Sequence, residues 1–355
     1  MQIKHRLPTG ISIIALLFIL TILLSACSDN NNVEDQEISV ILVDGAPLMS
    51  MANLMSDEEM TIDGFDITYT ITNDSDTLVA ALLNQEPDFA VAPINVAALM
   101  HNNGSGYRLA AVTIRGILQI VSDQDISSLD ELKGQTIIAF GRSGTPGITL
   151  RAILNQNGID YFEPDSLNFT PDPNQVSIVY LTAPSDVRDA LATGMEIGGS
   201  PASFGLLAEP VATAITGFAQ NAGRPGIEVK INLQAEWAKN NDGEIYPQAG
   251  LIFHERLLEH NKDFVDSFID MAELSSIEAN VNPSDTGDLA VALGSVAIPN
   301  GTVMSVAYNA GRFPIMFTHA KQAEAEVNRY LQIILNENPS LIGGQMPDES
   351  FYYER

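Results

Sequence analysis

The stretch TIIAFGRSGTPGITLRAILNQN, residues 136–157, places a β-rich run, a glycine-rich turn and an amphipathic helix in succession. The run Thr136–Phe140 is short and apolar, as buried strands are. The turn Gly141–Gly147 follows, and Leu150 and Ile153 then fall on one helical face. A strand followed at once by a helix is half of a βαβ unit. This stretch therefore predicts an α/β fold.

The same alternation continues on both sides of this unit. The other strand-like runs are Ile38–Val43, Asp66–Thr72, Phe89–Ala92, Leu109–Ile114, Gly116–Ser122, Val176–Leu181, Ile227–Leu233 and Leu251–His254. Helical patterns of about 10–15 residues separate most of these runs, which predicts mostly parallel sheets.

Two places interrupt the alternation, Arg115–Asp125 and the turn-rich Asn240–Gln248. Two interruptions predict that the middle of the chain is inserted into a domain built from both ends. We expect one lobe from residues 37–117 plus 248–355 and a second from 118–247. Two hinge strands would join them, with a ligand cleft between the lobes.

Composition excludes several classes of protein. With 355 residues, of which 45% are hydrophobic, the chain has enough apolar surface for about two domains and is not disordered. The net charge of −28 argues against nucleic acid as a partner, because phosphate binding needs a basic face. A single cysteine excludes a disulfide framework and a CxxC zinc site.

The N-terminus predicts the compartment. A basic start, Lys4–Arg6, precedes the apolar run Ile11–Leu24, which has the length of a signal-peptide core and is shorter than a membrane span. The run leads into Leu-Ser-Ala-Cys27, which resembles a bacterial lipobox. We expect a lipoprotein signal peptide over residues 1–27, lipidation of Cys27 by a palmitate-type acyl chain and a flexible tether over 28–36. The protein would then lie on the extracytoplasmic face of the cell membrane. The alternative is a chance cysteine at the end of an uncleaved anchor helix.

Several short stretches together resemble a known family. They are Asp44–Pro47, Asp88–Asn95, Ser128–Gly134, Leu150–Gly158, Ala190–Gly194 and Ala208–Pro210. Over residues 38–342 the chain resembles the substrate-binding lipoproteins of bacterial ABC importers of the nitrate, sulfonate, taurine and thiamine-precursor type. The resemblance implies a type II periplasmic-binding-protein clamshell of two α/β lobes joined by two hinge strands. It also implies an ABC permease and ATPase as partners.

The turn Gly141–Gly147 is the most informative candidate for ligand binding. Thr145 is a suitable N-cap and Pro146 suits the first helical position. Gly144 would let the backbone approach a ligand closely, so Ser143, Gly144 and Thr145 would present uncommitted N–H groups to an anion or a carbonyl oxygen. The alternative is an ordinary capped turn between strand and helix.

Similar turns stand on the predicted other lobe. Ala46 and Pro47 open one helix, and Pro93 precedes another in which Asn95 could orient a polar ligand. The alternative is that both turns are plain helix caps.

Isolated polar and aromatic residues near the hinges complete the candidates. Arg115 could clamp a carboxylate or a sulfonate, or else pair with one of many acids. Glu209 could favour a ligand with an amine or a ring N–H, or else make a structural contact. Trp237 and Tyr246 could stack on a ring ligand, or else pack in the core.

Catalytic signatures are missing from the sequence. The turn Gly141–Gly147 is not followed by the Gly-Lys-Ser/Thr of a P-loop, and Thr145 stands where a nucleophile elbow has its second glycine. We therefore expect no catalytic residues, no metal and no cofactor. We expect a monomeric solute-binding lipoprotein, and the resemblance implies a small molecule of the sulfonate, nitrate or thiamine-precursor class as its ligand. The scarcity of basic residues near the loops favours an uncharged or singly charged organic ligand. The alternatives are a ligand-sensing module for a membrane receptor and an enzyme on the same clamshell fold.

Overall fold

Two sheets organise the part of the chain that the computed structural model describes, residues 36–56, 61–62, 64–142 and 144–355. The strands, in chain order, are β1 (Gln36–Val43), β2 (Thr61–Ile62), β3 (Phe65–Thr72), β4 (Phe89–Pro93), β5 (Tyr107–Arg115), β6 (Leu118–Ser122), β7 (Thr136–Phe140), β8 (Tyr161–Phe162), β9 (Val176–Leu181), β10 (Glu196–Ile197), β11 (Ser200–Pro201), β12 (Phe204–Ala208), β13 (Glu228–Asn232), β14 (Pro247–His254) and β15 (Ile315–His319).

The helices cover the faces of these sheets. They are α1 (Ala46–Met51), α2 (Ser75–Leu83), α3 (Ile94–Asn102), α4 (Thr145–Gln156), α5 (Pro184–Thr193), α6 (Val211–Asn221), α7 (Leu233–Asn240), α8 (Lys262–Val281), α9 (Pro283–Ala292), α10 (Gly301–Asn309) and α11 (Ala320–Glu337). In the described ranges, none of them is long and apolar enough to cross a membrane. The predicted signal peptide, Cys27 and Ser143 lie outside the described residues.

The strand order separates the chain into two groups. The first sheet has the order β15-β5-β14-β4-β1-β3-β2 and the second has the order β13-β6-β12-β7-β9-β8. All strands of the first sheet come from residues 36–115 and 247–319, and all strands of the second come from 118–232. This division follows the segments expected for the two lobes, whose boundaries stay a prediction.

The expectation of mostly parallel sheets is wrong for the strands next to the crossings between the sheets. β1 pairs with β4 in parallel, and β7 pairs in parallel with both β9 and β12. By contrast, β14 is antiparallel to β4 and β5, and β6 is antiparallel to β12 and β13. β6 and β14 each enter from the other sheet rather than through a helical crossover, so no right-handed βαβ unit fixes a parallel direction.

The two crossings run side by side. β5 continues into β6 through Gly116 and Ile117, and residues 241–246 return the chain from α7 to β14. The amide of Gly116 donates to the Tyr246 carbonyl at 3.0 Å, and the amide of Ile117 donates to Gln248 Oε1 at 3.3 Å. A Cβ atom on residue 116 would lie 2.4 Å from Cζ of Tyr246, so only glycine fits there.

Apolar clusters fill both faces of each sheet. One cluster packs α1 and α8 on one face of the first sheet, and another packs α5 and α6 on one face of the second. A third cluster is shared by the two sheets, because it joins Val112 of β5 to Ile120 of β6 and Ile137 of β7. Residues Glu37–Arg355 consequently form one compact unit.

Candidate functional site

The expected ligand-binding turns follow the carboxyl ends of parallel strands. β1 and β4 are parallel neighbours and lead into the turns of Ala46–Pro47 and Pro93–Asn95. β7 and β12 are parallel neighbours in the second sheet and lead into the turn Gly141–Gly147 and into Glu209. Strand ends of this kind form the usual ligand crevice of open α/β sheets. The fold therefore places the three expected turns and Glu209 at the carboxyl ends of strands, two turns in the first sheet and one turn with Glu209 in the second.

The turn after β7 closes on itself. The amides of Gly144 and Gly147 both donate to the Gly141 carbonyl, at 2.9 and 3.1 Å. A Cβ atom on residue 147 would lie 2.6 Å from the same carbonyl oxygen, which explains the glycine. The expectation of uncommitted N–H groups in this turn is therefore wrong for Gly144, and the Gly147 amide is likewise already bonded.

The start of α4 differs by one residue from the expectation. Gly144 is the N-cap, and Thr145 is the first helical residue rather than the cap. Pro146 lies in the first turn as expected, where its missing N–H costs nothing. Thr145 is buried, so its side chain is part of the packing between this turn and its surroundings.

The turn after β1 is fixed by a carboxylate. Asp44 accepts hydrogen bonds from the amides of Gly45, Val296 and Ala297 at 2.7, 2.7 and 2.8 Å. Ser295 also donates to it through its hydroxyl. Ala46 is buried and begins α1, with Pro47 in the first turn. Asp44 thus holds this turn against the segment that follows α9.

Asn95 keeps an unpaired acceptor. Pro93 is the N-cap of α3, and Asn95 is buried in its first turn. The Asn95 amide donates to the Leu341 carbonyl at 3.5 Å, a long hydrogen bond. In the described part of the chain, Oδ1 of Asn95 has no partner.

Arg115 gives its donors to the protein. It is buried at the end of β5, where Nη2 lies 2.5 Å from Glu326 Oε1 and 2.9 Å from Thr318 Oγ1. Nη1 donates to the Met316 carbonyl and Nε to the second Glu326 oxygen. A ligand carboxylate or sulfonate would have to displace Glu326 before Arg115 could clamp it.

Glu209 joins segments of the two sheets. Its buried carboxylate accepts from Arg312 Nε at 2.8 Å and from the Thr213 amide at 2.9 Å. Arg312 precedes β15 of the first sheet, whereas Glu209 follows β12 of the second, and Arg312 also donates to Thr213 Oγ1. Burial raises the pKa of Glu209, while Thr213 and Arg312 oppose that shift.

A group of aromatic side chains also spans the two sheets. The Trp237 ring lies 5.4 Å from that of Tyr246 and 5.7 Å from that of Tyr330, on α11. The Tyr330 hydroxyl bonds to Thr149 of α4 at 2.8 Å. Burial raises the pKa of Tyr246 and Tyr330 well above the usual range. Trp237 and Tyr246 thus pack on each other and on α11.

Two buried polar residues were not among the candidates from the sequence. Gln119 on β6 and Thr113 on β5 are fully buried, and within the described residues neither the Gln119 carboxamide nor the Thr113 hydroxyl has a hydrogen-bond partner. The signal was present in the sequence, because each is a polar residue inside an apolar strand run. The spacing of apolar residues in those two strands did not distinguish Thr113 and Gln119 from surface positions.

A cavity of about 460 Å³ borders the turn after β7. It is lined by Arg142, Arg151, Tyr161, Phe162, Glu163, Glu337 and Asn338. Glu163 pairs with both Arg142 and Arg151, and Arg151 also reaches Glu337 at the end of α11. Both arginines of this cavity are therefore already neutralised by carboxylates.

A second cavity, also of about 460 Å³, lies beside β9 and α5. It is lined by Tyr180, Leu181, Thr182, Asp186, Asp189, Ala190, Thr193 and Met195, and none of these is a predicted site residue. Over the ranges the structure covers, no group of three or more His, Cys, Asp or Glu side chains could hold a metal ion.

Comparison with known proteins gives a match at the level of the fold. No protein-family model and no curated protein matches the chain. Among solved structures, an ABC transporter protein from Parabacteroides distasonis superposes with a TM-score of 0.71 at 20% identity, covering 90% of this chain and 100% of that one. The periplasmic aliphatic sulphonate binding protein SsuA from Escherichia coli gives 0.64 at 14% identity, over 90% and 92% of the two chains. The ligand-binding component of an ABC-type import system from Staphylococcus aureus gives 0.56 at 14% identity, over 84% and 91%.

This chain has the fold of the ABC-importer binding proteins. In this binding-protein fold each sheet with its helices makes one lobe, and the two crossings join the lobes. The predicted clamshell of two α/β lobes is therefore confirmed. The Glu209–Arg312 pair and the Tyr330–Thr149 hydrogen bond then act as contacts between the lobes.

Proposed function

We propose that this protein is the solute-binding component of an ABC importer. It captures a small molecule between its lobes and delivers it to a permease driven by a cytoplasmic ATPase. The observation that carries the proposal is the binding-protein fold, with two sheets joined by adjacent crossings. The structures that it resembles over 84% or more of its length include the ligand-binding component of an ABC-type import system and the periplasmic sulphonate binding protein SsuA.

The proposed mechanism is closure of the lobes around the ligand. The ligand stabilises the closed state by binding it more tightly than the open one, so no covalent chemistry is required and we propose no enzymatic activity. We propose that the lining comes from the turns at the strand ends, with Ala46, Pro47, Pro93 and Asn95 from one lobe and Ser143, Gly144, Thr145 and Glu209 from the other. Arg115 would join this lining only where a ligand displaces Glu326, its ion-pair partner.

The proposed ligand belongs to the class of sulfonates, nitrate, thiamine precursors and similar small molecules. The similarity to the sulphonate-binding protein SsuA supports this class. Thermal unfolding of the full chain in detergent, repeated with each compound of such a panel, measures ligand binding directly. A true ligand at 100 times its Kd raises the free energy of unfolding by about 2.7 kcal/mol. Failure of every sulfonate, nitrate, amino acid and pyrimidine to raise the melting temperature would contradict solute binding.

The proposed location is the extracytoplasmic face of the membrane, with a monomer anchored by an acyl chain on Cys27. The lipobox-like Leu-Ser-Ala-Cys27 supports this, as does the polar stretch that follows it. In cells fed a labelled fatty acid, the wild-type protein should incorporate label and sediment with membranes. The Cys27→Ala variant should do neither. Equal labelling of both proteins would refute the anchor.

A further inference from the structure

The Gln119 carboxamide offers a donor and an acceptor that the protein does not use. Gln119 is fully buried, and within the described chain neither Oε1 nor Nε2 has a hydrogen-bond partner. Native proteins leave few buried polar groups unpaired, because each one forfeits its hydrogen bonds to water. A carboxamide with both ends unpaired is therefore a candidate for contact with a ligand.

Gln119 lies close to the contact between the lobes. On β6 it stands directly opposite Leu207 of β12, and residues opposite each other on antiparallel strands share a face. Leu207 packs in the same cluster as Ala212 of α6. The first turn of α6 is where Arg312 of the other lobe reaches Thr213. The carboxamide thus lies on the face of the second sheet that packs against α5 and α6, one residue from the end of β12 and close to this contact.

Two further buried groups near the crossings that lack a partner in the described chain are also neutral. Oγ1 of Thr113 is buried on β5, just before the crossing, and Oδ1 of Asn95 is buried at the start of α3. Pro93 of β4 and Ile114 of β5 flank the same residue of β14, Ala249, so these two polar groups belong to neighbouring positions at one edge of the sheet.

The cationic groups of the same region are already paired with acids. Arg115 pairs with Glu326, Arg312 with Glu209, and both Arg142 and Arg151 with Glu163. An anionic ligand would have to compete with these carboxylates. The groups that can still hydrogen-bond to a ligand in this region are thus side-chain amides and hydroxyls.

We infer that the cleft between the lobes selects an uncharged ligand in which an N–H donor stands beside a carbonyl acceptor. The Gln119 carboxamide would hydrogen-bond to this donor–acceptor pair. The inference rests on the proposed solute-binding function, and within the proposed ligand class it favours the uncharged organic molecules over sulfonates and nitrate. A lactam or a ureide satisfies Oε1 and Nε2 together, because its N–H and C=O lie side by side in one plane. A sulfonate or nitrate carries acceptors only, so it leaves Oε1 facing another oxygen.

The test compares uncharged and anionic probes on the full chain in detergent. The uncharged probes are uracil, hydantoin and 2-pyrrolidone, and the anions are methanesulfonate and nitrate. Binding is measured by titration calorimetry and by the shift in melting temperature. We expect an uncharged probe to bind and the Gln119→Met variant to weaken that binding about ten- to hundredfold. Because the substitution removes an unpaired buried amide, the unliganded variant should melt no lower than the wild type.

A matched substitution controls for a general effect. Ser177 on β9 also has an unpaired buried hydroxyl in the described residues, and it stands opposite Thr136 at the start of β7, away from the turn Gly141–Gly147, so Ser177→Ala removes an unpaired group outside the inferred site. It should leave probe binding unchanged. Binding of anions alone, or an uncharged probe that binds Gln119→Met as tightly as wild type, overturns the inference and leaves solute binding standing. Absence of binding by all five probes counts instead against the solute-binding function.

Discussion

Glu209 carries a pH dependence that can be measured. Burial raises the pKa of its carboxyl above the ordinary 4.5, so the native state holds the proton to a higher pH than the unfolded chain does. The free energy of unfolding therefore falls as the pH rises from 4.5 through the native pKa of this group. The Glu209→Gln variant lacks this titration. We expect its stability relative to wild type to increase with pH across that window.

Urea unfolding at several values from about pH 4 to about pH 7 measures this difference. Glu354→Gln, which changes an exposed glutamate near the C-terminus, is the control and should follow the wild-type curve. Parallel curves for wild type and Glu209→Gln would show that the Glu209 carboxyl titrates alike in both states.

Gly116 sets a steric limit at the crossing. A Cβ atom would lie 2.4 Å from Cζ and 2.8 Å from the hydroxyl oxygen of Tyr246. We expect Gly116→Ala to lower the free energy of unfolding by about 1–3 kcal/mol, as overpacking does. Gly217→Ala on α6 is the control, because in the described chain no atom outside the helix approaches within 4 Å of its Cβ position. This control should be neutral or stabilise by about 0.5–1 kcal/mol.

Some residue roles could be predicted from the sequence and others could not. Pro146 in the first turn of α4 followed from its type, because proline fits only where no N–H is needed. The closure of the turn on the Gly141 carbonyl could not be predicted, since it depends on the amides of Gly144 and Gly147 both reaching that one oxygen. Arg115 was a candidate clamp, but its partner Glu326 lies 211 residues away and no local pattern marks such a pair.

At the scale of elements, α4 and α11 meet across the lobes, and the buried contact between them is the hydrogen bond of Tyr330 with Thr149. Tyr330→Phe removes it and leaves Oγ1 of Thr149 buried without a partner. We expect a loss of about 1–3 kcal/mol of stability. In the Tyr330→Phe variant, Thr149→Val should then lower the stability by less than it does in the wild type, because it removes the Thr149 hydroxyl that has lost its partner.

A double-mutant cycle with urea unfolding measures this coupling. Tyr352→Phe is the matched control, since its hydroxyl donates to Asn328 on the same lobe at 2.8 Å. Thr149→Val should be additive with Tyr352→Phe. Strict additivity with Tyr330→Phe as well would mean that the α4–α11 hydrogen bond contributes nothing measurable.

Element type was easier to predict than element length. β7 coincides with the predicted strand Thr136–Phe140, because a short apolar run between turn-forming residues is too short for most helices and is typical of a buried strand. β14 begins at Pro247, four residues before its predicted start, because pairing with β5 and β4 extends it through turn-forming residues. The hairpin of β10 and β11 was missed although Gly198-Gly199 between them is a typical hairpin turn.

At the scale of the whole molecule, Trp237 can report closure. It is the only tryptophan of the sequence, and its ring packs 5.7 Å from that of Tyr330, which belongs to the other lobe. Opening of the lobes separates these rings and changes the surroundings of the indole. We expect ligand addition to shift the tryptophan emission with the same Kd that calorimetry gives.

The Trp237→Phe variant should bind ligand without the emission signal, which assigns the signal to this residue. Calorimetric binding with unchanged emission from the wild type would mean that the surroundings of Trp237 are the same in the open and the closed state.

The adjacent crossings have a mechanical consequence. Since Gly116 bonds to Tyr246 and Ile117 to Gln248, the two connecting segments are fastened to each other midway between the halves of the molecule. A rotation of one half about an axis that crosses both segments keeps these two hydrogen bonds, whereas sliding one segment past the other breaks them, so we expect bending to cost less than shearing.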